Sequence, residues 1–190
     1  MKLETIAEHT LAMDILPERA QILDIGARGL LFANELISRG HEVWTIDADD
    51  LEGMTHPNLA ISDYDGYCYL RRTNDPQATM INERIPEENH DSVLVMTLKS
   101  YSKMVNVDFW DAIKIDCEGA EYEIIMSMDA PMATQLSIEF HLHTGIYGQK
   151  EVHQMEKKLL SLGYFAVSHL KYPAHGCSAN YWDSLWVYEE

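Results

Sequence analysis

At 190 residues the chain has the length of one ordinary domain, enough to bury about 70% of its unfolded surface around a single core. Its formal charge of −17 excludes a nucleic-acid groove or an anionic-membrane face, since both need lysine and arginine in excess. Three cysteines without a Cys-x-x-Cys pair, a charged N-terminus and no apolar run near the ~20 residues of a membrane span predict a reduced, soluble, cytoplasmic protein.

Lys2 to Leu16 places Leu3, Ile6, Ala7, Leu11 and Ile15 on one side of a predicted helix, an N-terminal element over residues 1–20 that Pro17 breaks. Gln21 to Ile25 reads as a short buried strand running into Gly26 and Gly29, where the backbone can approach a ligand, and Leu30 to Arg39 has helical spacing with Gly40 as its stop. Glu42 to Ile46 is a second strand, closing on Asp47 a little over twenty residues beyond the turn, where a nucleoside-binding fold places the carboxylate that takes ribose hydroxyls. Strand, glycine turn, helix, strand and acid form the nucleoside half of a doubly wound α/β sheet. The glycines do not follow Gly-x-Gly-x-x-Gly, and Asp24 stands two residues before Gly26; both features point away from dinucleotides and toward S-adenosylmethionine.

Asn58 to Ile61 is a third strand ending on Ser62 and Asp63, placed to meet an adenine ring. Residues 64–90 read as a hairpin insertion, with turns at Asp65-Gly66 and Asn74-Asp75-Pro76. Ser92 to Thr97 is a further strand, Leu98 to Met104 a short helix, and Ala112 to Ile115 a buried strand leading into Asp116-Cys117-Glu118-Gly119. A helix over Ala120 to Met128, a strand over Leu136 to Phe140 and an amphipathic helix over Gln149 to Leu162 follow. Tyr164 to His169 and Ser184 to Tyr188, joined without a helix, predict an antiparallel pair at the sheet edge. The whole is an α/β, Rossmann-like single domain: a mostly parallel sheet with an antiparallel last strand and helices on both faces.

In such a sheet the ligand lies outside the carboxyl ends of the strands. Asp24, Asp47, Asp49, Asp63, Asp116, Glu118 and Glu139 fall there, and carboxylates so crowded repel one another unless a cation sits among them. Asp24-Ile-Gly-Ala-Arg-Gly29, Ala60-Ile-Ser-Asp63, Val95-Met-Thr-Leu98 and above all Ile113-Lys-Ile-Asp-Cys-Glu-Gly-Ala-Glu121 resemble the FkbM-type S-adenosylmethionine-dependent methyltransferases. The resemblance spans Gln21 to His141 and implies a seven-stranded class I methyltransferase fold and O-methylation of a small molecule or sugar. Arg28 stands where that family usually has Asn, and Gly29 comes one place early.

The expected cofactor residues are Asp24, Gly26, Ala27, Arg28, Gly29, Asp47, Ser62, Asp63 and Asp116. Asp116, Glu118 and His141 are the expected catalytic groups, with Asp116 at the reaction centre and His141 as candidate general base. Glu139 and His141, two apart on one strand, share a face, and with Asp116 and Glu118 opposite they have the composition of a divalent-metal site; the commoner role for such a histidine is a hydrogen-bonded rim residue. The rival readings are a nucleotide-binding oxidoreductase and a methyltransferase-like binding module without catalysis.

Overall fold

The computed structural model describes residues 1–72, 79–85, 87–88, 92–172 and 181–189. The chain begins with a hairpin of β1 (Leu3–Ile6) and β2 (His9–Ala12), followed by a 3-10 turn, Met13–Ile15. Then come β3 (Gln21–Ile25), α1 (Leu31–Ser38), β4 (Glu42–Asp47), β5 (His56–Pro57), β6 (Leu59–Ser62), β7 (Gly66–Arg72) and β8 (Thr79–Ile85). The second half holds β9 (Val93–Thr97), α2 (Leu98–Met104), β10 (Trp110–Ile115), α3 (Glu121–Ser127), β11 (Ala133–His141), α4 (Gln149–Ser161), β12 (Tyr164–Tyr172) and β13 (Tyr181–Tyr188).

A seven-stranded mixed sheet, ordered β12-β13-β11-β10-β3-β4-β5, forms the frame. β3, β4, β5, β10 and β11 are parallel, while β13 runs antiparallel between β11 and β12. The central strands are covered on both faces and therefore read as unbroken apolar runs. On one face Leu23, Ile113, Leu136 and Ile138 pack against Leu98, Ile124, Ile125, Val152 and Leu159 of three helices. On the other, Ile22 and Ala112 meet Phe32 and Leu36 of α1 together with Ile6 and Leu11 of the hairpin. The parallel strands deliver their carboxyl ends, at Ile25, Asp47, Ile115 and His141, to one edge.

Two expectations are corrected. The N-terminal helix is a hairpin: Ala7 and Glu8 both sit at positive φ, 44° and 73°, the geometry of a tight two-residue turn that matches strand twist. Leu3 pairs with Ala12 and Ile6 with His9. Gln135, fully buried in β11, takes the Ala12 N–H on Oε1 at 2.9 Å and binds the hairpin to the sheet, a long-range bond that outweighs local helical spacing. Secondly, the strands at Leu59–Ser62 and Val93–Thr97 do not join the main sheet. They pair with each other in a separate four-stranded sheet, ordered β6-β9-β7-β8, and the outer place beside β4 falls to the two residues of β5. Pro57 has no N–H to extend that pairing, and Asn58, at φ 57°, turns the chain away. β7 and β8 pair antiparallel, while the Asn74-Asp75-Pro76 turn lies outside the described residues.

Left-handed backbone costs a non-glycine residue about 1–2 kcal/mol, so Ala7→Asn with Glu8→Gly is expected to raise the urea midpoint by an amount equivalent to about 1 kcal/mol or more. A helix would be weakened by the same glycine. A lowered midpoint would contradict the hairpin.

Candidate functional site

The site grows from an exception to the apolar run of β10. Lys114, only 4% exposed, sends its ammonium to Asp24 Oδ1 at 2.9 Å, to Asp116 Oδ2 at 3.1 Å and to the Gly26 carbonyl at 2.9 Å. Burial disfavours its charge, but the Asp116 and Asp24 carboxylates outweigh burial and hold the ammonium protonated. The turns after β3 and β10 are thereby clamped together, and Asp116 N–H donates to the Ile25 carbonyl at 3.1 Å. Gly26, at φ 78°, is the only residue type that fits, because a Cβ there would lie 1.6 Å from the Asp116 carbonyl oxygen.

A cavity of about 930 Å³ opens over these turns, within the size range of small-molecule sites. Of the predicted cofactor residues, Asp24, Gly26, Ala27, Arg28, Gly29, Asp47, Ser62 and Asp116 line it. Glu118 lines it as well, whereas Asp63, which is exposed, and His141, which is buried, do not. Asp47 accepts the Asp49 N–H at 2.9 Å, and burial raises its pKa above the ordinary carboxylate value. Arg28 reaches Asp49 at 3.2 Å across the mouth. Asp63 is engaged by Arg84 from β8, whose guanidinium lies 4.0 Å from the centre of the Tyr64 ring. Tyr64 and Arg84 both line the cavity, so the second sheet supplies one of its walls.

Beyond Asp116 the acid-rich edge is a single connected network. Glu121, fully buried at the start of α3, takes N–H bonds from Cys117 and Gly119, the Tyr147 hydroxyl at 2.8 Å and His141 Nδ1 at 2.7 Å. This fixes the Asp116-to-Ala120 loop. The other ring nitrogen of His141 lies 3.3 Å from Asp116, 3.8 Å from Glu118 and 3.7 Å from Glu139. Burial works against its charge, but Glu121, Glu118 and Asp116 push its pKa up to about 10, so at neutral pH it is an imidazolium that donates. Burial would likewise raise Asp116, yet Lys114, His9 and His141 hold it well below the usual carboxylate range. Glu139, desolvated and repelled by Asp116, is pushed up to about 7. The side chain of His143 lies outside those described.

Besides Glu121 and Tyr147, three charged or titratable residues around Asp116 were missed from sequence. His9, brought in by the hairpin, puts Nε2 3.2 Å from Asp116 Oδ2. Asp183 of β13 lies behind it, held by the Thr10 hydroxyl at 3.0 Å and the Ser137 hydroxyl at 3.4 Å. Lys114 is the third. A lysine inside a buried strand signals a paired charge, so that one had a signal; His9 and Asp183 had none without the hairpin.

The His141 shift makes stability pH-dependent. A folded value of about 10 above the ordinary 6.5 means its contribution is whole below pH 6.5 and is lost as pH rises toward 10. Thermal melts are expected to show stability falling through that window in the wild type and falling less in His141→Gln. A wild-type melting temperature that holds level from pH 7 to 10, with no difference between the two proteins, would contradict the buried imidazolium.

The description "Methyltransferase FkbM domain" belongs to the family model that matches residues 48–166, a span that begins just past Asp47. No curated protein matches the chain. Among solved structures, the Methanococcus jannaschii fibrillarin pre-rRNA processing protein is similar at a TM-score of 0.51 and 12% identity, over 99% of this chain and 82% of that one. The Burkholderia thailandensis 1,6-didemethyltoxoflavin-N1-methyltransferase, with 1,6-didemethyltoxoflavin and S-adenosylhomocysteine bound, aligns at 0.49 and 12% identity, over 91% of this chain and 72% of that one. The first of these likenesses shows the fold. No described helix is long and apolar enough to cross a membrane. With a family match over well over half its length, the chain belongs to the FkbM methyltransferase domain family.

Proposed function

We propose that the chain transfers a methyl group from S-adenosylmethionine to a hydroxyl oxygen on a small molecule or sugar. Family membership supports an S-adenosylmethionine-dependent methyltransferase, and the observation that carries the reading is one cavity lined together by the glycine turn, Asp47, Ser62 and Asp116. Its donors fit the cofactor: the backbone at Gly26 leaves no room for a side chain, Asp47 presents a desolvated carboxylate where ribose hydroxyls are read, and acids surround the place where a sulfonium would be neutralised. When bound, the cofactor supplies a methyl group activated by a positive sulfur.

The chain's own residues then have separable tasks. Asp24, Gly26, Ala27, Arg28 and Gly29 hold the amino-acid end, Asp47 the ribose, and Ser62 the edge of the adenine, with Asp63 acting through Arg84, which it holds at the cavity wall. Asp116 and Glu118 line the reaction centre, with His141 buried behind them. His141, already protonated, orients Asp116 and Glu118 rather than removing a proton, and the acceptor hydroxyl gives its proton to one of these two carboxylates as the carbon–oxygen bond forms and the carbon–sulfur bond breaks. Rate comes chiefly from position, because an in-line displacement needs the acceptor oxygen aligned with the methyl carbon and the departing sulfur.

S-adenosylhomocysteine is expected to raise the melting temperature where NAD does not. Asp47→Ala should weaken its binding by the loss of charge-assisted hydrogen bonds worth about 1.5–3 kcal/mol each, read by titration calorimetry. Equal affinity in wild type and Asp47→Ala would remove Asp47 from the site, and stabilisation by NAD alone would replace the transferase with an oxidoreductase.

A further inference from the structure

We propose that His9, Asp116 and Glu139 form a binding site for one divalent metal ion of the Mn²⁺ or Mg²⁺ type at the far edge of the cavity. One ligand atom from each residue lies within 4.8 Å of the other two. His9 Nε2 is 3.2 Å from Asp116 Oδ2 and 3.9 Å from Glu139 Oε2. Adjacent ligands of an octahedral ion with bonds of about 2.1 Å stand about 3 Å apart, so His9 and Asp116 are already near ligand spacing and the Glu139 carboxylate draws in to complete the triad. Parallel pairing of β10 with β11 sets Asp116 beside Glu139, and the hairpin adds His9 from β2.

The state of His9 points the same way. The residue is 2% exposed, its ring is fixed edge-on against Phe32 at 5.8 Å, and its Nδ1 is buried with no hydrogen-bond partner among the described residues. Behind Nδ1, at 4.0 Å, stands Asp183 Oδ1. A metal-bound imidazole characteristically donates its second N–H to a carboxylate, which fixes tautomer and ring. An ion on Nε2 places the proton on Nδ1, facing the acid already braced by Thr10 and Ser137. With the proton fixed on Nδ1, a shift of the Asp183 carboxylate by about an ångström closes that hydrogen bond, which gives the unpartnered nitrogen its acceptor. Lys114 need not move, since it keeps Asp24 and the Gly26 carbonyl at 2.9 Å each.

The Asp116 and Glu139 side chains are 24% and 22% exposed, so the site keeps an open side for a further oxygen ligand, the arrangement of a catalytic rather than a structural ion. Use of that position by the acceptor hydroxyl, whose pKa the ion would lower, rests on the transferase reading. Binding of the ion does not. The ligand set also differs from the one expected from sequence, because the imidazole comes from the hairpin and His141 Nδ1 is committed to Glu121.

The test is Mn²⁺ titration of the full-length protein followed by electron paramagnetic resonance, paired with calorimetry of S-adenosylhomocysteine on the same samples. Wild type is expected to take up one Mn²⁺ per chain, with imidazole-nitrogen modulation in its spin echo that disappears in His9→Gln. Glu139→Gln should weaken Mn²⁺ at least about tenfold, and Asp183→Asn, which touches no ligand position, about 10–100-fold; unchanged circular dichroism keeps misfolding apart from lost ligation. No stoichiometric uptake, or uptake unaltered in Glu139→Gln and Asp183→Asn, overturns the site. S-adenosylhomocysteine bound without Mn²⁺ removes the metal and leaves the transferase, while Mn²⁺ bound without S-adenosylhomocysteine does the reverse.

Discussion

A buried ammonium holds this molecule's working edge together. Lys114 links the ends of the two central strands through Asp24, Asp116 and the Gly26 carbonyl, and so converts two carboxylates that would repel each other into a rigid floor. A buried ion pair is weak evidence for stability. Removing one partner is nevertheless expensive, because the other charge is then stranded, and that asymmetry makes the arrangement specific. The same logic extends outward through His141 and Glu121, which pin the Asp116-to-Ala120 loop to the start of α3. Charge of both signs is thus fixed before any ligand arrives, the preorganisation on which electrostatic catalysis depends.

Two smaller sheets finish what the central one begins. The N-terminal hairpin lies on the α1 side and brings His9 down beside Asp116, while β6 to β9 raise Tyr64 and Arg84 along the opposite wall. The cavity is therefore bounded by three separate pieces of chain that meet only in the folded state. An acid-rich lining with a few committed cations suits a positively charged ligand and repels an anionic polymer, in keeping with the overall charge of −17.

What was legible in the sequence follows from the range of the forces involved. Gln21 to Ile25, Leu31 to Ser38 and Gln149 to Ser161 declare themselves through apolar periodicity and glycine stops, and the structure places them within a residue or two of those marks. The Asp24-to-Gly29 and Ile113-to-Glu121 blocks are local, which is why the cavity's floor could be listed from them. The hairpin could not. Its turn has Ala7-Glu8 where Asn-Gly would have announced it, and the bond that decides it comes from Gln135, more than a hundred residues away. The transfer of β6 and β9 to a second sheet hangs on Pro57 and the left-handed Asn58, details visible only once β4 has a neighbour to refuse. His9 and Asp183 were lost with those long-range pairings, whereas Lys114 was in plain view as a charge in an apolar strand.

The most direct measurement of the central claim is a crystal structure with S-adenosylhomocysteine. Ribose hydroxyls are expected on the Asp47 carboxylate, the amino-acid end along the Gly26 turn, and the sulfur turned toward Asp116 and the His9 edge. A ligand seated away from that turn, or a sulfur facing the Tyr64 wall, would contradict it.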